Sequence, residues 1–405
     1  MTTALSGKKI VLGVTGSISA YKTAEWIRSL AGEEALVQVV MTRAATKFMT
    51  PLTFAALSGN KVYSEMFEPD QAEQIHHITL ARDCDLVLIA PATAQTIARL
   101  AYGFAEDLLS ALVLATKAKI LICPAMNTKM YQHPATQANL KRLREFGYQV
   151  LEPEIGLMAC GDEGPGRLPN WHNVRHALYA AFMPQDMAGQ SILVTAGPTQ
   201  EPFDPARFIS NPASGKMGYA LAAAASIRGA HVTLISGPTH LPVPPNVETV
   251  QVTTAAEMYD AVITRCRQQT VVAKAAAVCD FRPAINSPNK IKKTDAALAI
   301  SLQPNRDILK ELGELKAKSK KFPLLVGFAA ETENVLQEGA RKLQKKNLDL
   351  LVANDVTAPG AGFGADTNQV TILDPAGHQE VLPLLSKEAV AHRIWDRVVE
   401  LLKSR

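Results

Sequence analysis

The sequence predicts an α/β protein built as two successive doubly wound domains, and three observations lead there. Apolar runs of strand length alternate with helix-length stretches from the N-terminus onward. These runs are continuously apolar rather than alternating, the pattern of parallel strands buried on both faces. Near residue 190 the opening pattern, a strand running into a glycine turn and a helix, starts again.

In order, Lys9-Ile10-Val11-Leu12-Gly13-Val14 is the first strand, followed by a helix over 20–30 and a strand at Val37-Gln38-Val39-Val40-Met41. Leu86-Val87-Leu88-Ile89-Ala90 is the next strand, then come helices over 94–102 and 106–116, then the strand Lys119-Ile120-Leu121-Ile122-Cys123. The polar, turn-rich stretch Met183-Pro184-Gln185-Asp186-Met187-Ala188-Gly189-Gln190 marks the boundary, giving domains of 1–190 and 191–405. The second, Rossmann-like domain opens on Ser191-Ile192-Leu193-Val194-Thr195-Ala196-Gly197-Pro198, with a helix near 218–228 and a strand at His231-Val232-Thr233-Leu234-Ile235-Ser236-Gly237. Runs 369–373 and 380–382 flank Asp374-Pro375-Ala376-Gly377 as an antiparallel hairpin with a four-residue turn, and an amphipathic helix covers about 385–402.

A chain of 405 residues is too long for one ordinary core, which agrees with two domains. Its formal charge of +4 is too small for a dedicated nucleic-acid binder, yet it allows a local basic pocket for phosphates. Five cysteines without a C-x-x-C pair exclude a disulfide framework and a tetrathiolate metal site, and they suit a reducing cytoplasm. The first residues lack the apolar core of a signal peptide, and no run of 18 apolar residues is present, so no membrane span is expected.

Chemistry-bearing residues concentrate where strands end, the place where open α/β sheets bind ligands. Gly16-Ser17-Ile18-Ser19-Ala20 follows the first strand; Ser17 is suited to cap the helix, and its neighbours' N–H groups suit an anion. A plain strand-to-helix turn has the same composition. Thr42 ends the second strand, and Ala92-Thr93-Ala94-Gln95-Thr96 ends a later one. Three polar loops at three strand ends point to one cofactor crevice. Pro124-Ala125-Met126-Asn127 places Asn127 at a fourth strand end. Of the adjacent His76 and His77, side chains about 100° apart on a helix, at most one faces the crevice, and His76 is expected to be the surface or satisfied one. Cys160 would ordinarily be a buried small hydrophobe, but four of the residues 161–166 are Gly or Pro. It is expected at the edge of a flexible loop able to close over a site.

In the second domain, Asn211-Pro212-Ala213-Ser214-Gly215-Lys216-Met217-Gly218 resembles a Walker loop only superficially. Ser210 stands where the first glycine belongs, and Met217 replaces the residue that would hold Mg²⁺. Lys290-Ile291-Lys292-Lys293 is a basic run that composition alone reads equally as a solvated surface. Asp280 ends an apolar strand just before it, Asn305-Arg306-Asp307-Ile308 opens a helix, and Phe328 lies near the end of another strand. Lys342 and Lys346, four apart, share a helix face suited to a triphosphate or simply to solvent.

The turn at Gly16-Ser17-Ile18, the loop Pro91-Ala92-Thr93-Ala94, His77, Pro124-Ala125-Met126-Asn127 and Ala159-Cys160-Gly161 together resemble the FMN-dependent cysteine decarboxylases. Residues 191–405 resemble phosphopantothenate–cysteine ligases. The whole chain is therefore similar to the bifunctional decarboxylase/ligases of coenzyme A synthesis, with a flavodoxin-like flavoprotein domain before the ligase domain. Gln95 departs from the usual Asn of the Pro-Ala-x-Ala-Asn loop, and Cys279 from the usual Ala.

That resemblance implies FMN contacts at Gly16, Ser17, Ile18, Thr42, Ala92, Thr93, Ala94 and Thr96. It implies His77 as active-site base, Asn127 on the substrate carboxylate, Cys160 as late proton donor, and Arg82 and Met130 as substrate contacts. In the ligase half it implies Asn211 at the 4′-phosphopantothenate, with Ala276, Asp280, Lys290, Asn305, Arg306, Asp307, Ile308, Phe328, Lys342 and Lys346 at the CTP site. The implied chemistry joins 4′-phosphopantothenate to cysteine through an acyl-cytidylate with CTP and Mg²⁺, then removes CO₂. Simple loss of CO₂ would leave an unstabilised carbanion, and flavin oxidation of the thiol to a thioaldehyde supplies the missing electron sink. A thiol with the ordinary pKa of about 8.5 is protonated at neutral pH and can return the proton. Trimeric contacts in the first half and dimeric ones in the second are implied as well. Two other readings are open to such a chain: a non-catalytic flavin-binding regulator, and a tandem NAD(P) oxidoreductase. Retention of His77, Asn127 and Cys160 speaks against the first. The absence of G-x-G-x-x-G at the first strand speaks against the second.

Overall fold

The computed structural model describes residues 4–67, 75–293, 298–319, 321–331, 335–355, 362 and 364–404. Two compact units form, Met1–Met183 and Pro184–Arg405. The expected boundary at 190 falls inside the second unit, because the turn-rich stretch carries its own anchors. Met187 is fully buried in the second unit's core. Asp186 pairs with the buried Arg228 at 2.5 Å, and Gln185 Nε2 donates to the Ile227 carbonyl at 2.9 Å.

The first unit opens with β1 (Lys9–Val14), α1 (Ala20–Gly32), β2 (Leu36–Met41), α2 (Pro51–Ser58), α3 (His76–Asp83) and β3 (Leu86–Ala92). It continues with α4 (Ala94–Tyr102), α5 (Leu108–Ala115), β4 (Lys119–Pro124), α6 (Thr128–Gln132), α7 (Pro134–Glu145), β5 (Gln149–Val150), β6 (Glu154–Leu157), β7 (Glu163–Arg167) and α8 (Trp171–Phe182). The five-stranded sheet has order β2-β1-β3-β4-β5, and its strands pair in parallel. Every residue of β3 is buried, as the unbroken apolar run predicts. This is the flavodoxin-like order, in which the connections turn opposite ways from β1 and β3 and leave a crevice between them. Helix starts follow local chemistry: Thr93 Oγ1 caps α4 by accepting from Thr96 N at 3.3 Å, and Asp107 caps α5 through a reciprocal pair with Ser110.

The second unit contains β8 (Ser191–Ala196), β9 (Gln200–Asp204), β10 (Arg207–Ser210), α9 (Lys216–Ile227), β11 (His231–Ser236), β12 (Val247–Gln251), α10 (Ala255–Cys266) and β13 (Val271–Lys274). After the short pair β14 (Phe281–Pro283) and β15 (Leu302–Pro304) come α11 (Ile308–Ala317), β16 (Leu324–Glu331), α12 (Val335–Lys345) and β17 (Leu350–Asp355). The chain closes with β18 (Thr367–Asn368), β19 (Val370–Leu373), β20 (Gln379–Val381), β21 (Leu385–Ser386) and α13 (Lys387–Lys403). Its main sheet runs β12-β11-β8-β13-β16-β17-β19-β20. The first six are parallel in the Rossmann order, with the switch between β8 and β13. The predicted tail hairpin is present as β19 and β20 on the antiparallel edge.

Alternate strand residues supply the two faces of that sheet. Val271, Ala273 and Val326 face the cluster containing Tyr219, Leu221 and Trp395 of α9 and α13, whereas Val272 and Leu325 face Met258, Leu312 and Leu343 of α10, α11 and α12. Trp395 is fully buried and spends its only polar group well, donating Nε1–H to the Leu221 carbonyl at 2.9 Å. Trp395→Ala removes that contact and opens a cavity. The expected loss is about 3–5 kcal/mol, read in calorimetry as a lowered transition of the second unit while the first unit's transition stays in place.

Candidate functional site

In the first unit the carboxyl ends of β1, β2, β3 and β4 surround a cavity of about 910 Å³. Gly16, Ser17, Ile18, Thr42, Thr93, Ala94, Thr96 and Met130 all line it, together with Gln95. Ala92 is fully buried one step behind, at the end of β3. The Ser17 hydroxyl does not cap α1 as the sequence suggested. The helix starts later, at Ala20 with Ser19 in the N-cap position, and the Ser19 N–H reaches Ser17 Oγ at 3.4 Å. Ser19 makes no side-chain cap either, and the first turn of α1 carries no acidic residue. The opening N–H groups of Ala20 and Lys22 instead turn back to the Ser17 and Ser19 carbonyls, at 3.0 and 3.1 Å. Arg99, held by Asp107 at 2.8 Å and Glu106 at 3.1 Å, is a wall residue that the sequence reading did not single out.

A second, smaller cavity of about 400 Å³ shares Ser17, Ile18, Ala125 and Met126 with the first and adds Asn127 and Cys160. The expected flexible loop around Cys160 is a β-hairpin: β6 and β7 pair antiparallel, with Cys160 exposed at the tip. Glycines in β7 let this hairpin lie against the loop after β4. Gly166 has φ of 148°, and a Cβ there would come within 2.2 Å of the Met126 carbonyl oxygen. Met126 N–H donates to the Gly166 carbonyl at 2.9 Å, fixing the two loops together. Asn127 then caps α6 through Oδ1, which accepts from Lys129 N at 2.8 Å. Its Nδ2 donates to Cys160 Sγ at 3.2 Å and to Asp162 Oδ2 at 2.6 Å. Asn127 and Cys160 are thus brought together as expected, and Asp162 is an unforeseen third member.

His76 and His77 reverse part of the expectation. His76 is the buried one, packed on Tyr63 with ring centroids 4.9 Å apart and Nε2 without a partner. His77 is partly exposed and Arg82 exposed on α3, and neither lines the two cavities.

In the second unit, loop 275–280 after β13 is latched across the sheet's switch. Thr195 Oγ1 accepts from Ala276 N at 3.1 Å, Thr199 Oγ1 from Cys279 N at 3.0 Å, and Asn211 Nδ2 donates to the Ala277 carbonyl at 3.0 Å. Asn305 joins from the other side, donating Nδ2–H to the Cys279 carbonyl at 2.9 Å and its backbone N–H to the Asp280 carbonyl at 2.8 Å. Cys279 is buried, and burial pushes its thiol up. Asp307 caps α11 and holds Lys346 at 2.8 Å. Burial pushes the Asp307 carboxyl up, but the Lys346 ammonium and the Lys310 N–H outweigh that and hold it below the usual range. Arg306 lies over the Tyr259 ring at 4.9 Å, and Ile308 is buried behind it.

Phe328 is half-buried within β16, and Lys342 stands one turn before Lys346. The expected first residues of that helix, 333 and 334, lie outside the described residues. Lys290 is exposed, on a segment tied down one residue later: Ile291 N donates to Asp204 Oδ2 at 3.2 Å, and its carbonyl accepts from Arg207 at 2.9 Å. Among the described residues no group of three or more His, Cys, Asp or Glu side chains is set to hold a metal ion.

One cation was missed in the sequence. Lys274 ends β13 and donates Nζ–H to the Ala276 carbonyl at 3.1 Å. Burial and the nearby Lys346 lower it to about 8, against the opposing pull of Asp307 and Asp280. The only hint was a lone lysine closing an apolar strand.

A strand-end cavity in a flavodoxin-like unit, followed along the chain by a Rossmann-like unit with lysines gathered at its strand ends, defines the class as a two-domain α/β protein with one crevice per domain. The family description "Flavoprotein" matches residues 1–183, and "DNA/pantothenate metabolism flavoprotein C-terminal domain" matches 187–402. The chain is 46% identical to the coenzyme A biosynthesis bifunctional protein CoaBC of Vibrio vulnificus (strain YJ016), covering 98% of this chain and 99% of that one. It is likewise 46% identical to CoaBC of Escherichia coli (strain K12), covering 98% and 97%. A crystal structure of the C-terminal domain of CoaBC is 42% identical, covering 55% of this chain and all of that one, with a TM-score of 0.47. The chain belongs to the CoaBC family of bifunctional coenzyme A biosynthesis proteins.

Lys274 makes the second unit's stability depend on pH. Its pKa in the fold, about 8, lies below an ordinary lysine's 10.5, so the unfolded chain binds more protons between those values. Stability therefore rises with pH across that window, as the charge penalty is relieved. In Lys274→Met this rise is expected to disappear, measured by denaturant titrations across about pH 8 to 10.5.

Proposed function

We propose that this chain performs two consecutive steps of coenzyme A synthesis. It joins 4′-phosphopantothenate to cysteine with CTP, then decarboxylates 4′-phosphopantothenoylcysteine to 4′-phosphopantetheine in an FMN-dependent reaction. The observation that carries this reading is the convergence of Asn127 and Cys160 beside the strand-end cavity.

The first-unit cavity fits FMN. Its volume is in the usual range for a cofactor site, its hydroxyls at Ser17, Thr42, Thr93 and Thr96 suit a ribityl phosphate, and Ala125, Met126 and Met130 offer apolar surface for a ring. When bound, FMN supplies a hydride acceptor, so that the carbon next to the departing carboxylate can become electron-poor. Asn127 Nδ2 then orients that carboxylate, and Cys160, at the hairpin tip, returns a proton from Sγ once CO₂ has gone. The hairpin also keeps water from that face of the cavity.

In the second unit, Asn211 and the α9 N-terminus receive phosphopantothenate. Its carboxylate attacks the α-phosphate of CTP, and cysteine's amine then displaces CMP. Lys290, Lys342 and Lys346 offset charge on the transferring phosphates, Asp280 and Asn305–Ile308 seat the nucleotide, and Ala276 and Phe328 border it. Catalysis there is mainly positioning and electrostatics. Mg²⁺ joins through the phosphates.

His77 and Arg82 complete the first site from a neighbouring copy. This is supported by the exposed apolar side chains near α3 and α2, with Phe67 84%, Leu52 76% and Ile75 61% exposed. We assign trimeric contacts to the first unit and dimeric contacts to the second. No helix among the described residues is long and apolar enough to cross a membrane, and we place the enzyme in the cytoplasm.

Three outcomes test this. Cys160→Ser should release CO₂ from supplied 4′-phosphopantothenoylcysteine yet accumulate an oxidised product by mass spectrometry; normal 4′-phosphopantetheine output refutes the assignment. Lys290→Gln should abolish pyrophosphate release from CTP while decarboxylation persists, and loss of both activities would contradict two separable sites. Mixing refolded His77→Asn and Cys160→Ser chains should restore 4′-phosphopantetheine formation, which neither completes alone, whereas no recovery would place His77 within its own subunit's site.

A further inference from the structure

Asn127 has a single amide to offer, and the structure uses both ends of it. Oδ1 is committed to capping α6 through Lys129 N at 2.8 Å. Nδ2 donates to Asp162 Oδ2 at 2.6 Å, a short N–H···O contact, and lies 3.2 Å from Cys160 Sγ. The Cys160 thiol faces the same Asp162 oxygen at 3.7 Å. A carboxylate of the chain itself therefore stands on the donor that the mechanism assigns to the carboxylate of the substrate. Asp162 is carried there by the hairpin tip, which is closed by Met158 N–H on the Asp162 carbonyl at 2.9 Å.

We propose that Asp162 is an internal occupant of the substrate-carboxylate subsite. In the substrate-free enzyme it latches the β6–β7 hairpin to Asn127. The incoming carboxylate displaces it, and it returns when that carboxylate has left as CO₂. No covalent bond changes in the exchange: one carboxylate replaces another as acceptor of the same N–H. Asp162 thus opposes binding of the carboxylated substrate and has no such effect on the carboxylate-free product. It favours the decarboxylated species at the moment when Cys160 must approach it.

The inference rests on the reading of Asn127 as the carboxylate ligand, and the experiment separates the two. The flavin-loaded enzyme is titrated calorimetrically with 4′-phosphopantothenoylserine, which keeps the carboxylate but has no thiol to oxidise, and with 4′-phosphopantetheine, which lacks the carboxylate. Asp162→Ala should bind the carboxylated ligand roughly tenfold tighter and the carboxylate-free ligand unchanged. Its hairpin should also be cut faster by protease in the absence of ligand, a readout independent of turnover. Equal or weaker binding of the carboxylated ligand overturns the proposal. Should the alanine variant fail to fold, Asp162→Asn, which keeps the shape without the charge, is read by the same criteria. Asn127→Ala is the separate arm: if it leaves the carboxylated ligand's affinity untouched, the assignment of Asn127 fails whatever Asp162 does.

Discussion

A buried threonine hydroxyl at the carboxyl end of the first strand ties each sheet together at the point where its connections reverse. In the first unit Thr15 Oγ1 donates to the Pro91 carbonyl at 2.6 Å and accepts from Thr93 N at 3.0 Å. Its partner in the second unit, Thr195 Oγ1, accepts from Ala276 N at 3.1 Å. Both threonines are fully buried, where an unpaired hydroxyl would cost about 1–3 kcal/mol. Diverging loops thus share one bonded corner, and the site residues are hung from it: Thr93, Ala94 and Thr96 beyond one, Ala276, Cys279 and Asp280 beyond the other. The strands on either side are buried on both faces and have no room for polar side chains until they end.

From these equivalent corners the two units build opposite electrostatics. Around the first cavity hydroxyls are prominent, and the cations Arg99 and Arg43 are already balanced, the first by Asp107 and Glu106 and the second by Glu65 at 3.5 Å. The second site gathers Lys274 and Lys346 against Asp307 and Asp280, closely enough that Lys274 is lowered to about 8 by burial and by its fellow lysine. A site that binds and releases a triphosphate needs cations not fully neutralised by the protein. One that retains a cofactor throughout turnover gains more from shape and uncharged donors.

Much of this was legible in the sequence because period and composition act locally. The unbroken apolar run of β3, the glycine turn after β1, and Asn127 directly behind Ile120–Pro124 could each be placed without tertiary information. What failed depended on pairing across distance. Glu163-Gly164-Pro165-Gly166-Arg167 reads as a loop by composition, yet it forms β7, because glycine at 166 admits the Met126 carbonyl where any side chain would clash. Asp162, inside that stretch, carried no signal until the hairpin brought it to Asn127. The histidine pair could be split by helical geometry but not assigned: His76 turned inward onto Tyr63, although the partly exposed His77 is the functional candidate. At the boundary, polarity near 184–190 concealed Met187, a single apolar anchor that decides to which unit the segment belongs.

With Asn127 as the proposed ligand of the substrate carboxylate, its neutrality has a chemical reason. Cysteine's carboxylate is a bystander in the second unit, where the carboxylate of phosphopantothenate is the one activated, and it is the leaving group in the first. As CO₂ departs, negative charge drains from the carboxylate into the sink. A lysine or arginine clamp would stabilise the charged ground state more than the transition state and so slow the step it was meant to serve. An amide N–H orients the same group with less ground-state stabilisation. On the proposal made above, the nearby Asp162 would act in the same direction, since a second carboxylate disfavours the charged species and not the neutral CO₂. That the donor at this position is the uncharged Asn127 Nδ2, although Lys22 and Arg167 line the same cavity, accords with the direction in which charge must move.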